Sequence, residues 1–299
     1  MSKSSIRLIA YDLDGTMLNN DKKISEANLA ALAEARDKGC VLLPATGRPL
    51  CMLYGPIIEV PGVRYVLTSN GAAIWDVGSD PYATVRSCRG DLMGTPEGEL
   101  PPDARCIALS PLPVETAITV VEALRPFLPG VLKVFVSGKM LYEPASFQWE
   151  QENGKVGFRH EPGLAAIVPN LSEALPAWDG QIEKVCMFFE TDEKLQQARK
   201  ALDQLPNIEV VQGAPDNLEV TSPGVDKGLG LEKACAALGI DPACALALGD
   251  SENDFAMLRR AGFAGVVANG FPEAKELADY ISQADNDHDG AAEIIHHYI

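Results

Sequence analysis

The chain has 299 residues, which is enough for two domains or for one large core with an inserted domain. Hydrophobic residues make up 46% and charged residues 22%, a composition that excludes a mostly disordered chain. Aspartate and glutamate (42) outnumber lysine and arginine (25), and the net charge of −17 argues against sequence-independent binding to nucleic acid. A small phosphorylated ligand stays compatible with this charge, because a local cationic site can outweigh distant carboxylates.

Cysteine usage and hydropathy bound the protein further. The 7 cysteines contain no C-x-x-C pair, so the sequence predicts neither a zinc knuckle nor a dithiol redox site. No signal peptide is visible, and no apolar stretch approaches the ~20 residues that a membrane span requires. We therefore predict a cytoplasmic protein that binds neither nucleic acid nor membrane, with its oligomeric state left open.

The N-terminal third alternates strand-like runs with an amphipathic helix, which is the pattern of a parallel sheet covered on both faces. Residues 6–11 are predicted to form a buried strand, and residues 26–38 a helix that ends at Gly39. Further strands are predicted over residues 40–45 and 63–68.

The middle of the chain has a different pattern. Residues 86–113 are rich in proline, glycine and arginine and show little periodicity, which predicts an irregular excursion. The elements predicted beyond it are a helix at 114–127, a hairpin of strands at 131–136 and 140–143, a strand at 182–189, a helix at 192–205, and strands at 208–211 and 218–221. This mixture indicates an α+β domain.

The alternation of strands and helices returns near the C-terminal end. The predicted elements are a helix at 227–238, a strand at 245–248, a helix at 252–261, a strand at 263–267, and helices at 272–278 and 291–298. The predicted fold class is α/β, a doubly wound parallel sheet (Rossmann-like) with an inserted α+β cap. The core is predicted at residues 1–82 and 222–299, and the cap at residues 83–221.

The motif DLDGT follows the first predicted strand and places Asp12 and Asp14 at its carboxyl end. Ligands of open parallel sheets bind at this end of the strands. The glycine of the motif lets the chain bend so that both carboxylates can face one site. One aspartate can then attack an electrophile, and the other can transfer a proton. A turn with solvated carboxylates explains an isolated D-x-D-G motif equally well.

Two further motifs suit an anionic ligand. Thr46, Gly47 and Arg48 follow the second predicted strand and offer a hydroxyl and backbone N–H groups. Lys227 lies at the start of a predicted helix, where its charge opposes the helix dipole, so an electrostatic role is a reasonable interpretation. A helix N-cap and a solvated lysine are the respective structural alternatives when each motif is considered alone.

The motif GDSEND follows the strand predicted at residues 245–248. Its Asp250 and Asp254 would lie near Asp12 if the two strands are neighbours in the sheet. Carboxylates there suit a hard divalent cation, and Mg²⁺ typically binds one or two of them together with phosphate oxygens. The alternative is a helix start with Ser251 as N-cap, which accounts poorly for Asp250.

Together the four motifs, DLDGT, ATGR, VDKG and GDSENDFAML, resemble those of the haloacid dehalogenase-like phosphohydrolase superfamily. More narrowly, the chain is similar to the Cof-type sugar-phosphatase branch, which has a large cap inserted between the second and third motifs. The resemblance covers residues 5–82 and 217–290 well, and over the cap it rests on size, position and element pattern.

The resemblance implies roles for the acidic residues. It makes Asp12 the nucleophile and a metal ligand, and Asp14 the general acid/base, with its backbone carbonyl on the metal. It makes Asp250 a ligand of Mg²⁺ and places Asp254 just outside, in support of metal-bound water or phosphate.

The resemblance also implies the substrate-binding residues. Thr46 and Lys227 would hold the transferring phosphoryl group, Gly47 and Arg48 would add contacts, and Asn253 would support the phosphate. The implied activity is Mg²⁺-dependent hydrolysis of a small, sugar-phosphate-like metabolite through an aspartyl phosphate. The alternatives are a phosphomutase that uses the same intermediate and a catalytically silent phosphate-binding regulator. The roles of Asn70, Asn269 and His288 stay open, as do the substrate and the cap residues that select it.

Overall fold

The structure is a computed structural model that describes residues 6–53, 55–89, 100–153 and 165–299. The strands are β1 (Leu8–Tyr11), β2 (Val41–Pro44), β3 (Tyr65–Thr68), β4 (Ala73–Asp76), β5 (Arg105–Leu109), β6 (Gly130–Val136), β7 (Lys139–Tyr142), β8 (Ala166–Ile167), β9 (Ile182–Phe189), β10 (Glu209–Val211), β11 (Asn217–Thr221), β12 (Ala245–Gly249), β13 (Phe263–Val266) and β14 (Tyr280–Ile281). The α-helices are α1 (Glu26–Asp37), α2 (Gly55–Ile58), α3 (Pro81–Ser87), α4 (Val114–Leu124), α5 (Pro144–Asn153), α6 (Leu171–Ala174), α7 (Asp192–Leu202), α8 (Lys227–Leu238), α9 (Phe255–Arg260), α10 (Pro272–Lys275) and α11 (Gly290–Tyr298).

The central sheet has the strand order β14-β13-β12-β1-β2, and every pair in it is parallel. The chain adds β2 on one side of β1 and later adds β12, β13 and β14 on the other. The strand order therefore reverses between β1 and β12, and a crevice for ligands forms at such a switch point. The predicted α/β class with a parallel core sheet is confirmed.

Helices cover both faces of this sheet. Helix α1 begins after Ser25, whose hydroxyl accepts a hydrogen bond from the Asn28 amide, and it buries Ala31, Leu32 and Ala35 along one face. Helices α1 and α11 contact each other on that side, while α8 and α9 contact each other on the opposite side. Among the described residues, no helix is long and apolar enough to cross a membrane.

The third predicted strand, β3, has neighbouring strands that the sequence did not indicate. β3 joins β2 through a single parallel bridge, Ala45 to Leu67, and then pairs antiparallel with β4, which pairs antiparallel with β5. The sequence predicted neither β4 nor β5, and the prediction that residues 86–113 are irregular is wrong at β5. Strand β5 is only half-buried, and its sequence lacks a clear alternation of apolar and polar residues. Its formation therefore depends on pairing with the free edge of β4. The part of this segment at residues 90–99 lies outside the described residues.

The inserted region contains a six-stranded sheet of order β10-β11-β9-β6-β7-β8. The predicted hairpin is confirmed: β6 and β7 pair antiparallel across Ser137 and Gly138, which both have positive φ angles. One face of this sheet packs on α4, α6 and α7, and the other face packs on residues of the core. This cap sheet therefore lies against the core, and the exact limits of the cap stay a prediction.

Gly71 brings the loop after β3 against the start of α8. Its φ is +93°, and a Cβ at this position would lie 2.1 Å from the backbone oxygen of Asp226, the N-cap of α8. Gly39, which ends α1, has a similar φ of +90° but no atom within 4 Å of such a Cβ. Only a residue without a side chain permits the close approach at Gly71.

We expect Gly71→Ala to lower the free energy of unfolding by about 3 kcal/mol or more, because backbone strain and a collision with Asp226 add together. The matched change Gly39→Ala should cost only about 1–2 kcal/mol, since it introduces the same strain without the collision. Urea unfolding of the two variants measures both losses. Equal losses would contradict the packing described here.

Candidate active site

The carboxyl ends of β1 and β12 bring the first and fourth motifs together. Asp12 follows β1 and Asp250 follows β12, and these strands are in register from Leu8 and Ala245 onward. Thr16 donates a hydrogen bond from its hydroxyl to Asp250 Oδ1 at 2.6 Å. A Cβ on Gly15, whose φ is +87°, would lie 2.7 Å from Asp250 Oδ2. The glycine and threonine of DLDGT therefore let this loop close onto Asp250.

Lys227 lies at the first position of α8 and is fully buried between two carboxylates. Its Nζ lies 2.5 Å from Asp12 Oδ1 and 2.6 Å from Asp254 Oδ1. Burial by itself would lower the pKa of Lys227, but the two carboxylates outweigh this effect and raise the pKa above its usual value. The side chain is therefore a fixed positive charge at the carboxyl edge of the sheet.

Asp254 also has a structural part in this arrangement, which its sequence motif does not indicate. Its second carboxylate oxygen accepts hydrogen bonds from the amides of Asp250, at 3.0 Å, and of Ser251, at 3.2 Å. The predicted helix at residues 252–261 begins instead as a 3₁₀ turn, Glu252–Asp254, before α9. Asp254 thus connects the loop that carries Asp250 to the ammonium of Lys227.

Three buried carboxylates form a compact cluster. Asp12, Asp250 and Asp254 each offer an oxygen, and these atoms lie within 4.8 Å of one another. Burial raises the pKa of Asp12 well above its usual value, opposed by Lys227 and reinforced by Asp254 and Asp250. Burial and the charge of Asp254 raise the pKa of Asp250 to about 7. Because one lysine does not balance this negative charge, the donor set fits a hard divalent cation.

Asp14 lies at the exposed edge of the site and outside the carboxylate cluster. Its side chain is 42% exposed and pairs with Arg48 Nη2 at 2.7 Å and with Lys22 Nζ at 2.8 Å. Burial of the carboxyl group acts to raise its pKa, but Arg48 and Lys22 together lower it below the usual value. Arg48 is a predicted contact of the substrate, and in the structure its guanidinium pairs with Asp14.

The loop of Thr46, Gly47 and Arg48 is joined by backbone hydrogen bonds to the loop after β3. The Thr46 amide donates to Leu67 O at 2.9 Å, the Asn70 amide to Thr46 O at 3.1 Å, and the Ser69 amide to Arg48 O at 3.0 Å. Gly47 must be small here, because a Cβ would lie 2.9 Å from Asn70 Oδ1. The second motif therefore sits in a defined backbone conformation.

The three residues without a predicted role have three different contacts. Asn70, in a left-handed conformation with φ of 56°, accepts a hydrogen bond from Asn253 Nδ2 at 3.4 Å, so both side chains border the site. Asn269 instead donates to Gly15 O at 2.7 Å and supports the first loop. His288 is exposed and its contact is with Asp285, at 2.6 Å, which is not a member of the carboxylate cluster.

Cap residues that were not among the predicted site residues also contact these loops. Lys184 Nζ donates to Gly47 O at 2.5 Å and pairs with Glu219 Oε1 at 2.7 Å. Glu219 Oε2 accepts a hydrogen bond from Asn70 Nδ2 at 2.5 Å, and Ser69 donates to Glu183. The sequence feature that could have indicated these contacts is a pair of adjacent charged residues, Glu183 and Lys184, inside the otherwise apolar strand β9.

The sequence matches the family model of haloacid dehalogenase-like hydrolases over residues 9–85 and 104–295. This match covers most of the chain, and the chain belongs to that family. The resemblance indicated by the four motifs is confirmed, and so is the prediction of an enzyme that hydrolyses phosphoric monoesters.

Known relatives align along nearly the whole chain. The 5-amino-6-(5-phospho-D-ribitylamino)uracil phosphatase YcsE of Bacillus subtilis (strain 168) is 25% identical over 304 residues, covering 98% of this chain and 96% of that protein. The HMP-PP phosphatase of Yersinia pseudotuberculosis (serotype O:1b, strain IP 31758) is 29% identical, covering 98% and 95%. The solved structure of a haloacid dehalogenase-like hydrolase from B. subtilis shares the fold, with a TM-score of 0.76 at 23% identity over 98% of this chain and 100% of that one.

We expect Lys227→Met to lower the free energy of unfolding by about 3–5 kcal/mol, because it leaves Asp12 and Asp254 buried without their cation. Lys22→Met is a matched control: Lys22 also pairs with a site carboxylate, but it is 54% exposed, so its loss should cost about 1 kcal/mol or less. Urea unfolding in metal-free buffer measures both changes. Similar losses in the two variants would show that burial does not strengthen the Lys227 contacts.

Proposed function

We propose that this protein is a Mg²⁺-dependent phosphatase that hydrolyses a small phosphorylated metabolite through an aspartyl phosphate on Asp12. The observation that carries the proposal is the cluster of Asp12, Asp250 and Asp254, two of which, Asp12 and Asp254, contact the buried ammonium of Lys227. Phosphoryl transfer depends mainly on positioning and on neutralising charge, and this arrangement supplies fixed groups for both.

Asp12 is the proposed nucleophile. Lys227 contacts its Oδ1, so Oδ2 is the oxygen that we propose attacks phosphorus. The P–O bond of the ester breaks as the new bond to Oδ2 forms, and the leaving alkoxide takes a proton from Asp14. A water molecule then attacks the aspartyl phosphate and gives a proton to Asp14, which releases orthophosphate and the Asp12 carboxylate.

Asp14 is suited to proton transfer by its position at the exposed edge of the site. In the structure its pairing with Arg48 and Lys22 favours the ionised form, as the lowered pKa indicates. The ionised form is the one that accepts a proton from water. Protonating a leaving group requires that these contacts weaken when the anionic substrate binds beside them and competes for Arg48.

The carboxylates of Asp12 and Asp250, with the backbone carbonyl of Asp14, are the proposed holders of Mg²⁺. When bound, Mg²⁺ would neutralise charge on the transferring phosphoryl group. Thr46 and Lys227 are the proposed phosphoryl-binding groups, with contacts from Gly47, Arg48 and Asn253. Asp254 keeps Lys227 and the Asp250 loop in place.

The proposed substrate is a small, sugar-phosphate-like metabolite. The B. subtilis relative is named for a phosphorylated ribitylamino derivative of uracil, and the Yersinia relative for HMP-PP, so both names describe phosphorylated small molecules. We propose that residues 83–221 form a cap over the strand ends that excludes water and selects the leaving group. A metabolite of this kind fits the cytoplasmic location that the sequence predicts.

We expect Asp12→Asn to abolish release of orthophosphate from phosphate esters while the protein stays folded, because the amide is a poor nucleophile. Asp76→Asn is the matched control: Asp76 is as buried as Asp12 (3% against 5% exposed) and pairs with Arg64, away from the site. Turnover and circular dichroism are measured for both variants. A folded Asp12→Asn enzyme with wild-type turnover would refute the nucleophile assignment.

We expect removal of divalent cations by a chelator to reduce turnover below about 1% of its starting value, and added Mg²⁺ to restore it. Asp250→Asn should raise the Mg²⁺ concentration needed for half-maximal activity, because it removes one proposed ligand. Circular dichroism during chelation serves as the control for unfolding. Undiminished turnover in excess chelator would remove the metal from the proposal.

A further inference from the structure

Three charged side chains of the cap sheet contact the two core loops that carry Thr46 and Asn70. They are Glu183 and Lys184 of β9 and Glu219 of β11, and all three are buried. Phe135 pairs with Lys184 whereas Val136 pairs with Ile182, so Glu183 is the extra residue of a β-bulge. This bulge allows two consecutive side chains of one strand to contact the core.

Lys184 contacts the proposed phosphoryl-binding loop, Thr46 to Arg48, directly. Its ammonium is completely buried and lies 2.5 Å from Gly47 O and 2.7 Å from Glu219 Oε1. The other oxygen of Glu219 accepts from Asn70 Nδ2 at 2.5 Å. A buried ammonium is costly unless it is paired, and these contacts supply the pairing. The ion pair therefore lies within the cap sheet, and each of its two side chains also contacts a core loop.

The Gly47 carbonyl belongs to the peptide unit whose N–H is that of Arg48. This N–H donates to Thr46 Oγ1 at 3.1 Å. Because a peptide unit is planar, the position of the carbonyl oxygen sets the direction of the N–H on its other side. Because the oxygen of the Thr46 hydroxyl accepts this hydrogen bond, the hydrogen of the hydroxyl stays available to donate to a phosphoryl oxygen.

Within the part of the chain that the structure describes, the backbone–backbone hydrogen bonds of this loop do not involve the Gly47 carbonyl. The hydrogen bonds to the loop after β3 use the amide and carbonyl of Thr46 and the carbonyl of Arg48. Glycine itself restricts the rotation of its neighbouring peptide units very little. The Lys184 contact at the Gly47 carbonyl therefore holds this peptide unit from the side opposite to the Arg48 N–H, and the two contacts together favour a single orientation.

We propose that Lys184, oriented by Glu219, is a positioning residue that holds the Gly47–Arg48 peptide unit and thereby directs the Thr46 hydroxyl toward the transferring phosphoryl group. This inference rests on the proposed function, in which Thr46 binds that group. It also gives the cap a part in the chemistry: docking of β9 and β11 on the core completes the phosphoryl-binding loop.

The main test is Lys184→Met in the full-length protein, assayed with Mg²⁺ and p-nitrophenyl phosphate. We expect kcat to fall by about 10-fold to 100-fold, as displaced catalytic groups produce, while KM changes much less. Glu219→Gln should shift kcat in the same direction by a smaller factor, because Lys184 keeps a neutral hydrogen-bond acceptor. This second variant keeps the test valid if Lys184→Met does not fold.

A double-mutant cycle with Thr46→Val separates positioning from general destabilisation. If Lys184 acts through the Thr46 hydroxyl, Lys184→Met in the Thr46→Val background should reduce kcat by less than about 2-fold further. The matched control for Glu219→Gln is Glu143→Gln. Glu143 also belongs to a cap ion pair, with Arg125 at 2.8 Å, and its side chain is 12% exposed against 9% for Glu219. It should leave kcat unchanged.

The outcomes distinguish this inference from the function on which it rests. A wild-type protein without phosphatase activity, or an Asp12→Asn variant as active as wild type, would overturn the proposed function and this inference with it. An active wild type whose Lys184→Met and Glu219→Gln variants keep wild-type kcat would overturn the inference alone. So would a loss in Lys184→Met that is fully repeated in the Thr46→Val background.

Discussion

The contact of the Lys227 ammonium with Asp12 and Asp254 is the interaction on which the rest of the site depends. Adjacent parallel strands end side by side, and here both ends carry carboxylates, so the edge concentrates buried negative charge. Desolvation and mutual repulsion oppose such a cluster. Lys227 offsets part of the repulsion, and a divalent cation would neutralise the negative charge that remains.

Glycine residues lie beside the cluster, because the charged side chains must come close to the backbone of neighbouring loops. A Cβ on Gly249 would lie 2.5 Å from Asp254 Cβ, and one on Gly15 would lie 2.7 Å from Asp250 Oδ2. Gly71 permits the loop after β3 to contact Asp226, the residue before Lys227. Each glycine therefore allows a close backbone approach that brings a charged side chain to the shared crevice.

The cap adds a second set of buried charges to the same edge. Lys184 and Glu219 contact Gly47 and Asn70, so the loop of Thr46, Gly47 and Arg48 and the loop after β3 are in contact with the cap sheet as well as with the core. Several of the predicted elements, such as α8 and β9, match the structure within a few residues, because their periodicity and caps are local features. β5 was missed because its formation depends on pairing with β4, a contact that no local pattern records.

The sequence alone determined the chemistry available at the strand ends. Asp12, Asp250 and Lys227 could be selected because four motifs with matching chemistry follow predicted strands or begin a predicted helix, although each motif alone has a structural explanation. Only the tertiary structure decided which of these groups meet. It placed Asp254 on Lys227, Arg48 on Asp14 and Lys184 on Gly47. Hydrogen bonds and ion pairs act over a few ångströms between residues far apart in the chain, so these partners are set by the packing of the whole fold.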